Sequence, residues 1–164
     1  MSKKIRWITE TAIMLALLVV LQALTKPLGQ LVTGSCVNAV LAVAVLLGGI
    51  WSGLTVALVS PVCAFLLGIG PQLFALIPAI ALGNSALVLV LHFAHGVSLT
   101  RNLLAWLSAA LGKFLALYLV VVQLLCRVLP LKQPRIDTFT AMFSVPQLIT
   151  ALVGGAVAML IVPV

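Results

Sequence analysis

Hydrophobic residues occur in six long runs along the chain, and most charged residues lie between those runs or at their ends. The runs cover residues 7–24, 32–50, 53–67, 72–92, 102–129 and 143–162. They lack the alternation of polar and apolar positions that is typical of membrane-spanning strands. Five of them approach or exceed the roughly 20 residues that a helix needs to cross a bilayer. The pattern predicts an all-α membrane protein, a compact bundle of six transmembrane helices.

Glycine and proline mark several boundaries between the runs, for example at residues 26–29, 48–53 and 68–71. The third run is the shortest and contains Pro61 in its middle, so we expect a kink there or an extension into the flanking glycines. With 164 residues the chain has room for one bundle and no soluble domain beside it. A single domain over residues 1–164 is predicted.

Composition supports the same class of protein. Hydrophobic residues make up 64% of the chain and charged residues 7%, which excludes a soluble globular domain and a disordered chain. The net charge of +7 arises from nine basic residues against two acids, Glu10 and Asp137. Most basic groups flank apolar runs, so contact with the lipid surface explains them better than a nucleic acid partner does.

The basic residues do not decide the orientation of the bundle as a whole. With the N-terminus inside, four basic residues lie on each side of the membrane: Lys3, Lys4, Arg6 and Arg101 inside, and Lys26, Arg127, Lys132 and Arg135 outside. The first helix often dominates topology, and its basic start favours the inside. We therefore expect a multi-pass protein of the cell membrane with both termini in the cytoplasm. The outer cluster either belongs to solvated loops or attracts an anionic ligand.

Lys113 lies near the middle of the fifth run, far from either end. A lysine at the centre of a membrane helix costs roughly 2.5 to 3.5 kcal/mol on insertion scales, so such a residue is a functional hypothesis by default. The alternative is a lysine that reaches the interface along its own stem or is paired for structural reasons.

A helical wheel places Lys113 on one face of the fifth run together with Gln123 and Arg127. Because polar groups are costly against lipid, this face should point to the interior of the bundle or to a water-filled cavity. The other runs supply few polar side chains at comparable depth. The predicted substrate-binding residues are Lys113, Asn38, Gln123, Gln147, Asn84 and Arg127. For each amide, a plain hydrogen bond between helices is the alternative.

Several kinds of chemistry have no support in the sequence. Gly112 and Lys113 are followed by Phe114, so they do not form the phosphate-binding loop of an ATPase. The apolar runs contain no deeply placed acid that would couple transport to protons or sodium. The three cysteines and two histidines lack metal-ligand spacing. We therefore expect no enzymatic activity, no metal and no cofactor, and any energy source must be a partner.

Taken together, the motifs resemble those of one transporter family. The first run contains Ala12 and Ala16 in AIMLA, and the glycine-rich turn LLGGIWSG joins the second and third runs. FLLGIGPQLFALIPAIALGNSALVL, GKFLALYL and FSVPQLITALVGGAVA follow in order. Over essentially its whole length, the chain resembles a substrate-binding S-component of the energy-coupling factor (ECF) transporters, which take up vitamins and other micronutrients in prokaryotes.

The resemblance implies a subunit that captures a micronutrient from outside and docks on a transmembrane coupling subunit with two ATPases. Ala12 and Ala16 match the docking motif of the family. The bound subunit is then expected to topple in the membrane and release its cargo inside. The family's pocket lies in the outer half, and the polar residues named above are the ones we expect around it.

Two other classes of function remain open from the sequence. One is a structural membrane protein without a ligand, such as those of the cell-wall machinery. The other is a small channel formed by oligomerisation, because the missing acids argue against coupled export and leave a passive pore possible. The identity of a substrate does not follow from the sequence.

Overall fold

The computed structural model describes residues 2–162, and helices account for nearly all of them. Most of the helices are long, because an apolar run in lipid can satisfy its backbone hydrogen bonds only within a helix. They are α1 Lys3–Thr25, α2 Gln30–Leu66, α3 Leu76–Ala94, α4 Leu99–Leu117, a π-helical continuation Tyr118–Leu125, α5 Cys126–Val128, α6 Gln133–Met142 and α7 Val145–Ile161. The predicted all-α class is confirmed for the part of the chain that the structure describes.

Five helical stretches are long and apolar enough to cross a membrane: Lys4–Leu28, Gln30–Leu66, Leu76–Ala94, Leu99–Val128 and Gln133–Ile161. Large apolar side chains such as Leu24, Leu66 and Leu119 are exposed on the outside of the bundle. In water a surface of this kind would be unfavourable, whereas lipid solvates it. The architecture is consistent with a multi-pass membrane protein.

Helix α2 is broken at Gly49, and its two halves lie side by side. Gly49 has φ 76° and ψ −176°, a conformation that glycine adopts and other residues avoid. A Cβ built on Gly53 would lie 2.8 Å from the Cβ of Val45. In an uninterrupted helix eight residues span about 12 Å, so the chain reverses direction at this glycine. The predicted runs 32–50 and 53–67 correspond to the two halves.

Side-chain contacts align the second half of α2 with α1. Thr11 donates a hydrogen bond to Ser52 at 3.0 Å, and further along both helices Gln22 contacts Ser60. The order of these contacts shows that the two segments run in the same direction. We call the end of the bundle that holds residues 26–29 and 67–75 the Gly29 end. The opposite end, with Gly49 and residues 95–98, is the Gly49 end.

Most of the core lies between α2, α3, α4 and α7, where small residues allow close approach. A Cβ on Gly83 of α3 would lie 2.5 Å from Leu117, and a Cβ on Gly154 of α7 would lie 2.5 Å from the Cβ of Asn38. Both glycines belong to small-residue pairs in the sequence, Ala79 with Gly83 and Gly154 with Ala158. These pairs therefore have the packing role that is common in membrane bundles.

The short helix α6 covers the Gly29 end. Its Phe139 is buried in a second apolar cluster with Phe143, Leu117 and Val121. Phe139 and Phe143 stack edge to face with 6.4 Å between ring centroids. This cluster holds the connection between α5 and α7 against the π-helical segment, close to the polar interior described next.

Candidate functional site

The ammonium group of Lys113 is held by two asparagines in the centre of the bundle. Lys113 is 3% exposed, and its Nζ donates to Asn38 Oδ1 at 2.5 Å and to Asn84 Oδ1 at 2.6 Å. Both asparagines are 1% exposed. The three residues come from α4, α2 and α3, so the cluster joins three helices. We call it the lysine–asparagine cluster.

The position of Asn38 depends on close packing between α2 and α7. Gly34 of α2 lies against Thr150 of α7, and Gly154 of α7 lies against Asn38 of α2. The two glycines bring the helices together, and Thr150 Oγ1 then accepts a hydrogen bond from Asn38 Nδ2 at 3.2 Å. The amide is thereby oriented with its oxygen toward Lys113.

The position of Asn84 depends on Pro61. Proline has no backbone N–H, so Pro61 leaves the carbonyl of Ala57, four residues earlier in α2, without its helical donor. Asn84 Nδ2 donates to this carbonyl at 3.4 Å. Pro61 therefore leaves the carbonyl of Ala57 free to accept from Asn84, and this hydrogen bond turns Asn84 Oδ1 toward the lysine.

A cavity of about 350 Å³ extends from the lysine–asparagine cluster to the Gly29 end. Its volume lies in the range of small-molecule pockets. We call it the Lys113 cavity. Its polar lining residues are Gln22, Lys26, Gln30, Thr33, Asn38, Ser60, Asn84, Lys113 and Gln147, and its apolar wall includes Val37, Pro61, Ala64, Ile69, Pro71, Ile80, Met142 and Phe143.

Of the six predicted binding residues, four line this cavity: Lys113, Asn38, Asn84 and Gln147. Gln147 lies at the Gly29 end, where its Nε2 donates to the carbonyl of Met142 at 3.1 Å. Gln30 Nε2 donates to the same carbonyl at 2.7 Å. The two amides thus tie α2 and α7 to the end of α6, across the opening of the cavity.

Gln123 and Arg127 do not line the cavity. Arg127 is exposed and donates to Gln123 Oε1 at 2.5 Å, while Gln123 donates to the hydroxyl of Tyr118 at 3.1 Å. The reason is the π-helix that begins at Tyr118. Its i→i+5 hydrogen bonds make the chain turn by less per residue than in an α-helix. The wheel that relates these residues to Lys113 therefore loses its register after Leu117.

Gln22 is a buried lining residue that the sequence analysis missed. It is 2% exposed, and its Nε2 lies 3.3 Å from the carbonyl oxygen of Ser60. Because that oxygen can only accept, the amide nitrogen faces it and Gln22 Oε1 faces away. Among the described residues Oε1 has no hydrogen-bond donor. A polar residue inside the first apolar run was the available signal.

Lys26 lies at the opening of the Lys113 cavity. Its Nζ donates to the carbonyl of Leu67 at 2.7 Å and thereby links the connection after α1 to the connection after α2. This second ammonium is exposed, in contrast to Lys113. The cavity therefore has cationic groups at its bottom and at its rim.

A second cavity, of about 260 Å³, opens at the Gly49 end. We call it the Trp106 cavity. Apart from Asn38, Asn102, His95 and Trp106 it is lined mainly by alanine, leucine and other apolar residues. Asn102 accepts from the backbone N–H of Gly96 at 2.7 Å and donates to its carbonyl at 2.8 Å. Its amide therefore closes the connection before α4.

Ala12 and Ala16, the residues expected to dock, are exposed on α1. The buried face of the same helix contains Thr11, Leu18 and Gln22. The two alanines point away from the rest of the bundle and leave a shallow strip on its outer surface. Within residues 2–162 no group of three His, Cys, Asp or Glu side chains could hold a metal ion.

Comparisons with models of protein families, with curated proteins and with solved structures found no match to the chain.

Proposed function

We propose that this protein is the substrate-binding subunit of an ECF uptake transporter of the cell membrane. In this role it captures a micronutrient from outside and docks on a coupling subunit that carries two ATPases. The observation that carries the proposal is the Lys113 cavity, which combines a volume of small-molecule size, open at the Gly29 end, with a buried cation. A membrane protein without a ligand has little use for such a costly group.

The charge balance around Lys113 supports a binding role. The only acids of the chain are Glu10, which pairs with Arg6, and Asp137, which accepts from Gln133. Neither contacts Lys113, whose described partners are neutral amides. Buried charges in proteins are normally paired, and a bound anion would supply the missing charge.

For the topology we propose six crossings, in which each half of α2 spans the bilayer and Gly49 forms the turn. Both termini would then lie in the cytoplasm, and the Gly29 end would face outside. The basic residues at the start of α1 favour this orientation. The cavity would open toward the side from which nutrients arrive.

Docking would occur through the strip at Ala12 and Ala16. Small residues on an exposed helix face allow another helix to approach closely, and such contacts drive association in membranes. Both side chains are free of contacts that the bundle itself needs. Replacing either of them with leucine would block a close partner without disturbing the interior.

The test is co-purification of the tagged full-length chain from membranes of its native cells. We expect a second membrane protein and two ATPases with phosphate-binding loops in the complex. Ala12→Leu and Ala16→Leu should remove these partners, while Ser108→Leu, a matched change at an exposed position of α4, should keep them. A monomeric chain with no ATPase, or a complex indifferent to both alanine variants, would overturn the proposal.

A further inference from the structure

We propose that the Lys113 cavity binds a small monocarboxylate that also carries an N–H or O–H donor. The carboxylate would lie at the lysine–asparagine cluster and the donor would bind Gln22 Oε1. As a transport substrate this ligand rests on the proposed function, whereas its binding to the isolated chain does not.

The lysine–asparagine cluster has donors to spare. An ammonium carries three N–H groups and each amide carries two. Lys113 uses two of its three on the asparagine oxygens, Asn38 uses one on Thr150, and Asn84 uses one on Ala57. Three N–H groups therefore remain without an acceptor among the described residues. All three residues line the cavity, so the cluster can surround an oxygen-rich group.

The single positive charge of Lys113 at this depth matches a ligand with one negative charge. Lys113 is the only buried charged residue of the described part, and Lys26 lies at the rim, exposed and bonded to Leu67. A carboxylate bound to Lys113 forms a neutral pair. A phosphate dianion would leave one charge uncompensated in the interior, which is costly. The cluster therefore favours a carboxylate over a doubly charged phosphate.

Gln22 supplies the complementary acceptor. Its partner Ser60 lies three residues beyond Ala57, the partner of Asn84, on the second half of α2. Three residues correspond to about 4.5 Å along a helix, so Gln22 lies roughly one turn closer to the opening than the cluster. Since Gln22 Oε1 has no described donor, a ligand that brings one satisfies a buried polar atom. The ligand's two polar groups must then be separated by about that length or more.

Around these two points, the wall of the Lys113 cavity is mostly apolar. Pro61, Ala64, Ile80 and Phe143 contribute to its wall. A ring system with the carboxylate at one end and the N–H at the other would fill it while exposing both polar groups to their partners. Such rigid bodies also lose little conformational freedom on binding.

The experiment uses the purified full-length chain in detergent and four matched probes. The first is an indole carboxylate whose carboxylate and ring N–H lie at opposite ends of the molecule. The second is the corresponding neutral carboxamide, and the third is the benzofuran carboxylate, which lacks the N–H. The fourth is an indolyl phosphate, which carries a phosphate in place of the carboxylate. For each of the four probes, a compound with the same functional groups on a single aromatic ring is also tested. Thermal shift and isothermal titration give the dissociation constants.

We expect the carboxylate with the N–H to bind most tightly, roughly tenfold tighter than the carboxamide and the benzofuran analogue. Lys113→Met should weaken it about a hundredfold, and Lys113→Gln, which keeps a donor without the charge, should also weaken it strongly. Gln22→Leu should abolish the advantage of the N–H while benzofuran carboxylate binds as before. Lys132→Met, which removes an exposed ammonium at the same end, is the control.

The proposal is overturned if the carboxamide or the phosphate binds best, if no carboxylate binds, or if Gln22→Leu weakens both carboxylates equally. Should Lys113→Met fail to fold, the lysine to glutamine variant and the probe ranking on the unmodified chain still decide. If the carboxylate test fails while the ATPases still co-purify, only the proposed ligand class is rejected. Carboxylate binding without ATPase partners rejects the transporter role alone.

Discussion

The Lys113 cavity and the Trp106 cavity share Asn38 as a lining residue and differ in how completely their polar groups are satisfied. In the Trp106 cavity, Asn102 bonds both ways to Gly96, and the Trp106 indole nitrogen donates to the carbonyl of Ala151 at 3.4 Å. In the Lys113 cavity, one N–H of Lys113, one N–H of Asn84 and the buried Oε1 of Gln22 have no described partner, and the third free N–H belongs to Asn38, which lines both cavities. Polar residues that already serve the fold can line a cavity without making it a binding site.

A similar contrast exists between two pairs of small residues, Gly154 with Ala158 on α7 and Ala12 with Ala16 on α1. Gly154 lies under Asn38 and is fully occupied by the fold, whereas Ala12 and Ala16 are exposed on α1. Both groups have the four-residue spacing of a close helix contact. Only the structure distinguishes small residues that already have a helix against them from small residues that are available for one.

The largest expected effect comes from Gly154, which packs against Asn38, the residue that lines both cavities. Gly154→Val would insert a branched side chain where even a single added Cβ would lie 2.6 Å from the carbonyl oxygen of Ser35. Overpacking of this kind should cost about 3 kcal/mol or more and separate α2 from α7. We expect loss of the cooperative thermal transition and of all ligand binding.

Gly112→Ala is the matched control for that change. A Cβ on Gly112 meets only Val90, at an ordinary 3.4 Å, and alanine favours the helix. Its transition temperature should stay equal or rise. If Gly154→Val melted like the unmodified protein, the close contact that positions Asn38 would be wrong.

One substitution made in both cavities tests their difference directly. Asn84→Asp places a carboxylate beside the Lys113 ammonium, where the amide oxygen now lies 2.6 Å away. The internal acid then competes with a bound anion, and affinity for a monocarboxylate should fall about a hundredfold. Isothermal titration of the detergent-purified chain measures it.

Asn102→Asp introduces the same charge in the Trp106 cavity and breaks the bond to the carbonyl of Gly96. Thermal stability should decrease, because a buried acceptor loses its donor, and carboxylate affinity should stay within about twofold. Equal losses of affinity in both variants would mean that the anion is not bound at Lys113.

A smaller effect is expected from Pro61→Ala. Alanine restores the backbone N–H that reaches the carbonyl of Ala57, so Asn84 must share or lose its acceptor. We expect thermal stability to stay equal or rise and carboxylate affinity to fall roughly fivefold to tenfold, about 1 kcal/mol. Pro134→Ala, in the first turn of α6, should change neither. If Pro61→Ala left the carboxylate affinity unchanged, Pro61 would have no role in positioning Asn84 for binding.

The smallest effect concerns the Trp106 cavity alone. Trp106→Phe removes one long hydrogen bond, to the carbonyl of Ala151, and should lower stability by less than about 1 kcal/mol. Thermal unfolding measures this change, and titration should show unchanged carboxylate affinity. A loss of affinity as large as that of Asn84→Asp would show that Asn38 couples the two cavities.

Much of the fold follows from the chain alone. Apolar runs of membrane length can satisfy their backbone only as helices, so the all-helical class and the approximate helix positions were predictable. Lys113, Asn38, Asn84 and Gln147 stood out as polar residues in apolar surroundings. Lys113, the first residue of the polar face predicted on the fifth run, is buried in the bundle.

The positions of Gln22, Gln123 and Arg127 relative to the Lys113 cavity were not predictable from the sequence pattern. Gln22 belongs to a helix that seemed important only for docking, and its open oxygen depends on Ser60, 38 residues away. Gln123 and Arg127 leave the predicted stripe because the helix widens at Tyr118. A wheel assumes one constant turn per residue, and no local pattern in the chain indicates the change.

The sequence by itself determined the environment of the chain, since long apolar runs with few charged residues are stable in lipid and not in water. It also determined that Lys113 has almost no acid available to it. Only the tertiary structure decided which polar atoms meet. Hydrogen bonds between helices depend on register, on close approach at Gly34 and Gly154, and on the carbonyl that Pro61 leaves open. These are distances between remote segments, which periodicity along one chain does not encode.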